Sequence, residues 1–106
     1  MPSRVNKLYR TLDSAPVQGE GSWVKVKAPT LEDVRQFSLP AEGDTGGALE
    51  FGKNMLGKLV IAWNWVDDDD KPLPEPTPEI VAGLPYAEVQ FLMEQLDLAG
   101  IADTKN

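Results

Sequence analysis

The pattern of apolar and polar residues near the N-terminus has a period of two. Residues 23–28 alternate strictly, with small apolar residues on one side and Trp23, Lys25 and Lys27 on the other. This alternation is typical of a half-buried antiparallel strand. Residues 5–12 mix apolar and basic positions less regularly and are interpreted as a second strand, separated from the first by a segment of turn composition. The two strands predict a β-hairpin that is exposed on one side.

A short helix is predicted after the hairpin, over residues 31–38. Pro29 ends the strand, and Thr30 with Asp33 matches a capping box, in which each side chain accepts a hydrogen bond from an unpaired backbone N–H. Three apolar residues of this helix are expected to face the core: Leu31, Val34 and Phe37. Residues 40–47 are expected to form a loop.

The longest apolar segment, residues 48–66, has the spacing of one helical stripe. The stripe consists of Leu49, Leu56, Leu59, Val60 and Trp63. Neighbouring positions widen it: Phe51, Met55, Ala62 and Val66. We therefore predict a central helix. Gly52 and Gly57 each cost about 1 kcal/mol relative to alanine inside a helix, so they are either tolerated or required where another backbone passes close.

Four aspartates at residues 67–70 follow this predicted helix. They are expected to form its solvated end, because carboxylates at a helix C-terminus oppose the helix dipole and stop the helix. An EF-hand calcium loop does not fit, since Lys71 replaces a ligand and Pro78 stands where the bidentate glutamate belongs. No metal site and no cofactor are therefore predicted.

Prolines occur at positions 72, 74, 76 and 78. They are expected to hold this segment, the proline-rich connector, in an extended conformation. Thr77 and Pro78 have the character of an N-cap and first helical residue, and Gly83 is expected to stop that short helix. Pro85 opens a last helix. Its inner stripe is predicted to contain Val89, Leu92, Leu96 and Ala99, with Phe91 and Met93 beside it and Gly100 at its end.

These elements together predict an α+β fold, a mostly helical small domain with an N-terminal β-hairpin and three to four helices. At 106 residues the chain is long enough for one core. The single domain is expected to span residues 1–106. It divides into a β-hairpin region (1–29), a helical region (30–100) and a frayed tail (101–106).

Composition narrows the classes of function. Neither cysteine nor histidine occurs, which excludes thiolate chemistry, Ser-His-Asp triads and His-ligated zinc. No converging set of other catalytic residues is apparent, so the chain is not expected to be an enzyme. A net charge of −7 argues against general binding to nucleic-acid phosphates. No signal peptide or membrane span is apparent, and the protein is expected to remain in the cytoplasm.

Five residues are candidates for contact with a partner: Trp63, Trp65, Tyr86, Phe91 and Met93. On a helix, positions two apart lie about 200° apart, so Trp63 and Trp65 are not expected to face the same way. One should belong to the core. The other should either pack under the proline-rich connector or stay partly exposed for a partner. The same two interpretations apply to Tyr86, Phe91 and Met93.

The WNWVDDD segment at 63–69, followed by PLPEP at 72–76 and EVQFLMEQL at 88–96, resembles the tail assembly chaperones of long-tailed bacteriophages and prophages. The WVKVKAPT segment at 23–30 fits the same order of motifs. The resemblance implies a chaperone that binds the tape measure protein and tail tube subunits in the host cytoplasm and is absent from the mature virion. The charge and the lack of a long apolar run predict no nucleic-acid and no membrane partner, and homo-oligomerisation remains open.

Two other classes remain as alternatives. One is a structural virion component, such as a small tail or head–tail connector protein. The other is an acidic inhibitor or DNA mimic.

Overall fold

A three-stranded antiparallel sheet and five helices make up the part of the chain that the computed structural model describes, namely residues 2, 7–36, 43 and 45–96. In chain order the elements are β1 (Tyr9–Asp13), α1 (Ala15–Gln18), β2 (Trp23–Lys27), α2 (Leu31–Arg35), α3 (Thr45–Leu59), β3 (Val60–Trp63), α4 (Pro78–Ala82) and α5 (Tyr86–Leu96). The sheet order is β1-β2-β3. This architecture confirms the α+β class.

The predicted N-terminal hairpin is confirmed. Strands β1 and β2 pair antiparallel, with Leu12 opposite Val24, and the alternation of β2 buries Val24 and Val26 while Trp23 and Lys25 stay exposed. The segment of turn composition between them contains α1, a single helical turn. This segment is predicted to be a loop, and the described residues therefore hold five helices where three to four are predicted.

The predicted helix over 48–66 is wrong at both ends. It begins earlier, at Thr45, and it stops at Leu59, after which β3 pairs antiparallel with β2. Val60 and Ile61 are β-branched and fit a pleated sheet better than a helix. A short apolar run does not distinguish these two outcomes by its periodicity alone, and the open edge of β2 decides for the strand. Of the loop predicted over 40–47, residues 40–42 and 44 lie outside the described residues.

The core draws on β2, α3, β3, α4 and α5. Its fully buried members include Met55, Leu56 and Leu59 of α3, in agreement with the predicted stripe. The prediction that Leu49 belongs to the core stripe is wrong, because 62% of its surface is exposed. Leu49 instead lines an open groove between α3, α4 and α5.

Helix α2 also departs from expectation. Its capping box forms as predicted, with Thr30 Oγ1 accepting from the Asp33 backbone N–H at 3.2 Å. Leu31, however, is 84% exposed rather than buried. Val34 is half-buried, and Phe37 lies outside the described residues. The residue of α2 that points inward is Asp33.

Asp33 joins three elements through its carboxylate. It accepts hydrogen bonds from the Lys27 ammonium of β2 and from the Thr30 backbone N–H, and its Oδ1 lies 3.1 Å from the Lys58 Nζ of α3. Burial by itself would raise the pKa of Asp33, but the hydrogen bonds from Lys27, Thr30 and Lys58 outweigh it and hold the pKa well below its ordinary value. Asp33 is therefore a charged brace between β2, α2 and α3.

Asp33→Asn should lower the free energy of unfolding by about 1–2 kcal/mol at neutral pH, because charge-assisted hydrogen bonds are lost at a buried site. A depressed folded-state pKa stabilises the protein above the unfolded-state pKa of about 3.9 and loses that contribution as the pH falls towards the folded-state value. The difference in unfolding free energy between wild type and Asp33→Asn should therefore be constant above about pH 5 and shrink below about pH 4. Urea unfolding at several pH values measures it.

Glu32→Gln is the matched control for Asp33→Asn. Glu32 is the preceding residue, is exposed, and pairs only at the surface with Arg35 at 3.2 Å. Its substitution removes the same charge and should change stability by less than about 0.5 kcal/mol. Equal losses for both variants would contradict the role of Asp33 as a brace.

The four aspartates form a turn rather than the predicted helix end. Val66 and Pro72 are bridged across it, and the Asp67 backbone N–H donates to the Lys71 carbonyl at 2.8 Å. The Asp67 carboxylate accepts from two backbone N–H groups within the turn, and Asp70 adopts a positive φ of 60°. Aspartate favours both roles. The expectation of a solvated acidic segment holds, since Asp67, Asp68, Asp69 and Asp70 are all exposed.

The C-terminal helices agree with the sequence. Thr77 caps α4, its Oγ1 accepting from the Ile80 backbone N–H at 3.2 Å, with Pro78 as the first helical residue and Gly83 as the C-cap. Leu92 and Leu96 of α5 are buried as predicted. The predicted positions of Ala99 and Gly100 lie outside the described residues. Within the described ranges, none of the helices has the combined length and apolar character needed to cross a membrane.

Candidate partner-binding groove

An open groove of about 480 Å³ lies between α3, α4 and α5, and it is called the apolar groove below. Its lining residues are Thr45, Leu49, Glu50, Gly52, Lys53, Val81, Ala82, Leu84, Tyr86, Val89 and Met93. Most of these are apolar. The groove combines concavity with exposed large apolar side chains, which are the features of a partner- or ligand-binding surface.

Helical spacing explains why these residues meet. Tyr86, Val89 and Met93 are three and four positions apart on α5, so they form one stripe beside the buried pair of Leu92 and Leu96. Thus α5 presents one stripe to the core and an adjoining stripe to the groove.

Helix α3 forms the facing wall through Leu49, Gly52 and Lys53. Gly52 deepens the groove because it has no side chain. A Cβ at this position would lie 3.3 Å from Met93 Cε and 3.4 Å from Met93 Sδ, so the Met93 thioether occupies the space beside the glycine. Methionine adapts to irregular partner surfaces because its side chain is unbranched and polarisable.

The rim carries the two most exposed apolar side chains of the groove. Tyr86 on α5 is 68% exposed and Leu49 on α3 is 62% exposed. The charged lining residues, Glu50 and Lys53, pair with each other at 2.9 Å. The lining therefore has no net charge of its own, and its capacity for binding is chiefly hydrophobic.

The five sequence-predicted contact residues do not come together. Tyr86 and Met93 line the apolar groove. Phe91 is half-buried on a different side of α5, where it packs against the core. Trp63 is half-buried as well, and Trp65 is fully buried. Only two of the five therefore share the groove.

The prediction that Trp65 contacts a partner does not agree with this structure, in which only 1% of its surface is exposed. Its indole N–H donates to Ser14 Oγ at 2.9 Å, and its ring stacks on that of Trp63 with centroids 4.8 Å apart. The prediction that Trp63 and Trp65 face different ways is wrong, because the segment is a strand and its extension rather than a helix, and residues two apart share a face there. Trp63 packs against the proline-rich connector, with its indole N–H donating to the Pro74 carbonyl at 3.0 Å.

Other groove residues were not predicted from sequence. The sequence places Leu49 and Val89 in the core stripes of their helices, and it does not single out Val81, Ala82 and Leu84. The i, i+3, i+7 spacing of Tyr86, Val89 and Met93 was a usable signal, because it adds a second apolar stripe to a helix that already has a core stripe.

A second cleft, of about 500 Å³, lies on the other side of the α4–α5 turn and is called the acidic cleft below. It is lined by Val66, Asp67, Asp68, Asp69, Leu73, Gly83, Leu84, Pro85 and Glu88. Leu84 lines both clefts. Among the described residues, no group of three or more acidic, histidine or cysteine side chains is arranged to hold a metal ion.

Comparison with known proteins gave no relative. No protein-family model matches the chain, and no curated protein or solved structure matches it.

Proposed function

We propose that this protein is an assembly chaperone of a long-tailed phage or prophage, and that it binds a helical, apolar segment of its partner in the apolar groove. The observation that carries the proposal is the groove itself, with Leu49 and Tyr86 exposed on opposite walls. An apolar concavity between helices is the form of site that receives an amphipathic helix. The partner class, a tape measure protein with tail tube subunits, follows from the motif resemblance.

The acidic surface supports the same proposal. A chaperone must expose apolar surface without precipitating, and a net charge of −7 provides mutual repulsion between copies of this chain. Binding through apolar contacts of this kind is reversible and needs no covalent chemistry. Reversibility is what a factor needs if it leaves before the virion is complete.

Co-expression tests the proposal. The chain is produced together with the longest helical protein encoded by the same phage or prophage, and the soluble fraction of that protein is measured. We expect the soluble fraction to rise with the wild-type chain, and Leu49→Glu to remove most of that rise, because the partner would have to desolvate a carboxylate on the groove wall.

Leu31→Glu is the matched control for this experiment. It makes the same substitution at another exposed leucine, on α2, which does not line the groove. It should leave the gain in solubility intact. If the helical protein is no more soluble with the chain than without it, and purified virions contain the chain stoichiometrically, the structural virion component replaces the chaperone.

A further inference from the structure

The apolar groove and the acidic cleft meet at Leu84, in the turn between α4 and α5. The turn is short, running from Gly83 to Pro85, and the Leu84 side chain belongs to both linings. A partner segment that leaves the apolar groove over Leu84 therefore enters the acidic cleft. Its chemistry must suit both surfaces in succession.

The two surfaces differ in charge. The apolar groove is neutral because Glu50 and Lys53 pair. The acidic cleft contains four carboxylates and no lysine or arginine among its lining residues. Within the described part of the chain, none of the ion pairs involves any of the four. The cleft is thus a concave negative surface, in which low-dielectric walls strengthen the attraction for an incoming cation.

Hydrogen bonds hold two of these four carboxylates in place. Asp67 is fixed by its two hydrogen bonds within the turn. Glu88 is held from α1, where Gln18 Nε2 donates to Glu88 Oε1 at 2.9 Å while also donating to the Val66 carbonyl at 3.2 Å. Preorganised charges lose less conformational entropy on binding than free ones do. The negative surface is consequently a lasting property of this corner of the fold.

We propose that the partner segment is an amphipathic helix with a lysine- or arginine-rich flank, its apolar stripe filling the apolar groove and its basic flank lying over Leu84 against the acidic cleft. The proposal rests on the proposed function of the groove and adds the charge that the partner must carry. A second copy of this chain is a poor occupant, because its own net charge of −7 would meet the same carboxylates.

Labelled synthetic peptides of about 18 residues, which form a helix about 27 Å long, test the proposal. One carries a leucine stripe at i, i+3, i+4 and i+7 with three lysines at one end, and its matched partner has three glutamates instead. Each of the two peptides is made in two versions, one with the charged flank at its N-terminus and one with it at its C-terminus. Fluorescence anisotropy gives the Kd at low and high salt. The lysine peptide should bind about tenfold more tightly at low salt, and high salt should reduce that preference.

Variants of the chain test whether the acidic cleft is the source of the preference for the lysine peptide. Asp68→Asn combined with Asp69→Asn should weaken the lysine peptide by about three- to tenfold and leave the glutamate peptide no weaker. Glu20→Gln combined with Glu75→Gln is the matched control, because it removes the same charge at exposed residues that line neither cleft. It should change the Kd by less than about twofold. Leu49→Glu should weaken both peptides.

The outcomes separate this inference from the function on which it rests. If both peptides bind equally and Leu49→Glu weakens both, the charge preference is overturned while the groove remains the binding site. If the two double variants have equal effects, the acidic cleft is not the contact and the inference is overturned. If neither peptide binds but co-expression still solubilises the helical protein, the inference also fails, whereas failure of both experiments removes the proposed function as well.

Discussion

Replacing Leu59 with alanine should lower the free energy of unfolding by about 2–5 kcal/mol. Leu59 is fully buried at the end of α3, next to Val60, the first residue of β3. The side chain therefore lies where the helical and sheet parts of the core meet. The shorter side chain loses the favourable free energy of burying the leucine methyl groups. It also leaves a cavity, which α3 and β3 cannot fill by moving separately because they are consecutive in the chain.

Urea unfolding followed by circular dichroism measures this loss. Leu49→Ala is the matched control, because it makes the same substitution in the same helix at an exposed side chain. It should change the free energy of unfolding by less than about 0.5 kcal/mol. Similar values for the two variants would contradict the assignment of Leu59 to the core and of Leu49 to the groove wall.

Gly57→Ala should destabilise the protein by about 3 kcal/mol, at the upper end of overpacking costs. A Cβ at Gly57 would lie 2.5 Å from the backbone nitrogen of Pro78 and equally close to Cγ and Cδ of its ring. A proline ring and a backbone atom cannot rotate away, so α3 and α4 must separate. This cost exceeds the roughly 1 kcal/mol that alanine gains over glycine in a helix. Of the two interpretations of this glycine, close backbone approach is the one that the structure supports.

Gly52→Ala provides the comparison within the same helix. Its Cβ would meet only the end of the Met93 side chain, at 3.3 Å, and that side chain has other rotamers available. The cost of moving Met93 and the gain in helix propensity should nearly cancel. Thermal denaturation should therefore give a melting temperature near that of wild type for Gly52→Ala, and one about 10 °C or more lower for Gly57→Ala. Equal midpoints would show that α4 does not pack against α3 through Pro78.

The part of the fold that could be predicted from sequence is the part determined by local interactions. The capping residues Thr30 and Thr77 act within one turn of their helices, and both are confirmed. The alternation of β2 and the core positions Leu92 and Leu96 of α5 each lie within a single element, and the structure agrees with both, whereas Val89 of the predicted core stripe is half-buried and lines the groove. In such segments the local preference and the tertiary structure favour the same conformation.

The candidate site was only partly predictable. Tyr86 and Met93 are candidates from the sequence only because large apolar side chains of a helix either join the core or contact a partner, and the structure places both in the lining of the apolar groove. Trp65 was misplaced, since its burial depends on Ser14, which is 51 residues away in the sequence and accepts its indole N–H. The exposure of Leu49 likewise depends on how α4 and α5 pack against α3, because that packing leaves an open groove beside Leu49.

The sequence by itself determined the pairing of the first two strands, the helix caps and the acidity of the 67–70 segment. Only the tertiary structure decided that residues 60–63 form a strand. Their apolar run satisfies helical and extended spacing alike, and the backbone groups of β2 needed a partner on its second edge, which β3 supplies. The same pairing ends α3 at Leu59 and brings Trp65 into the core, because hydrogen bonding between distant segments outweighs a local preference of a few tenths of a kcal/mol per residue.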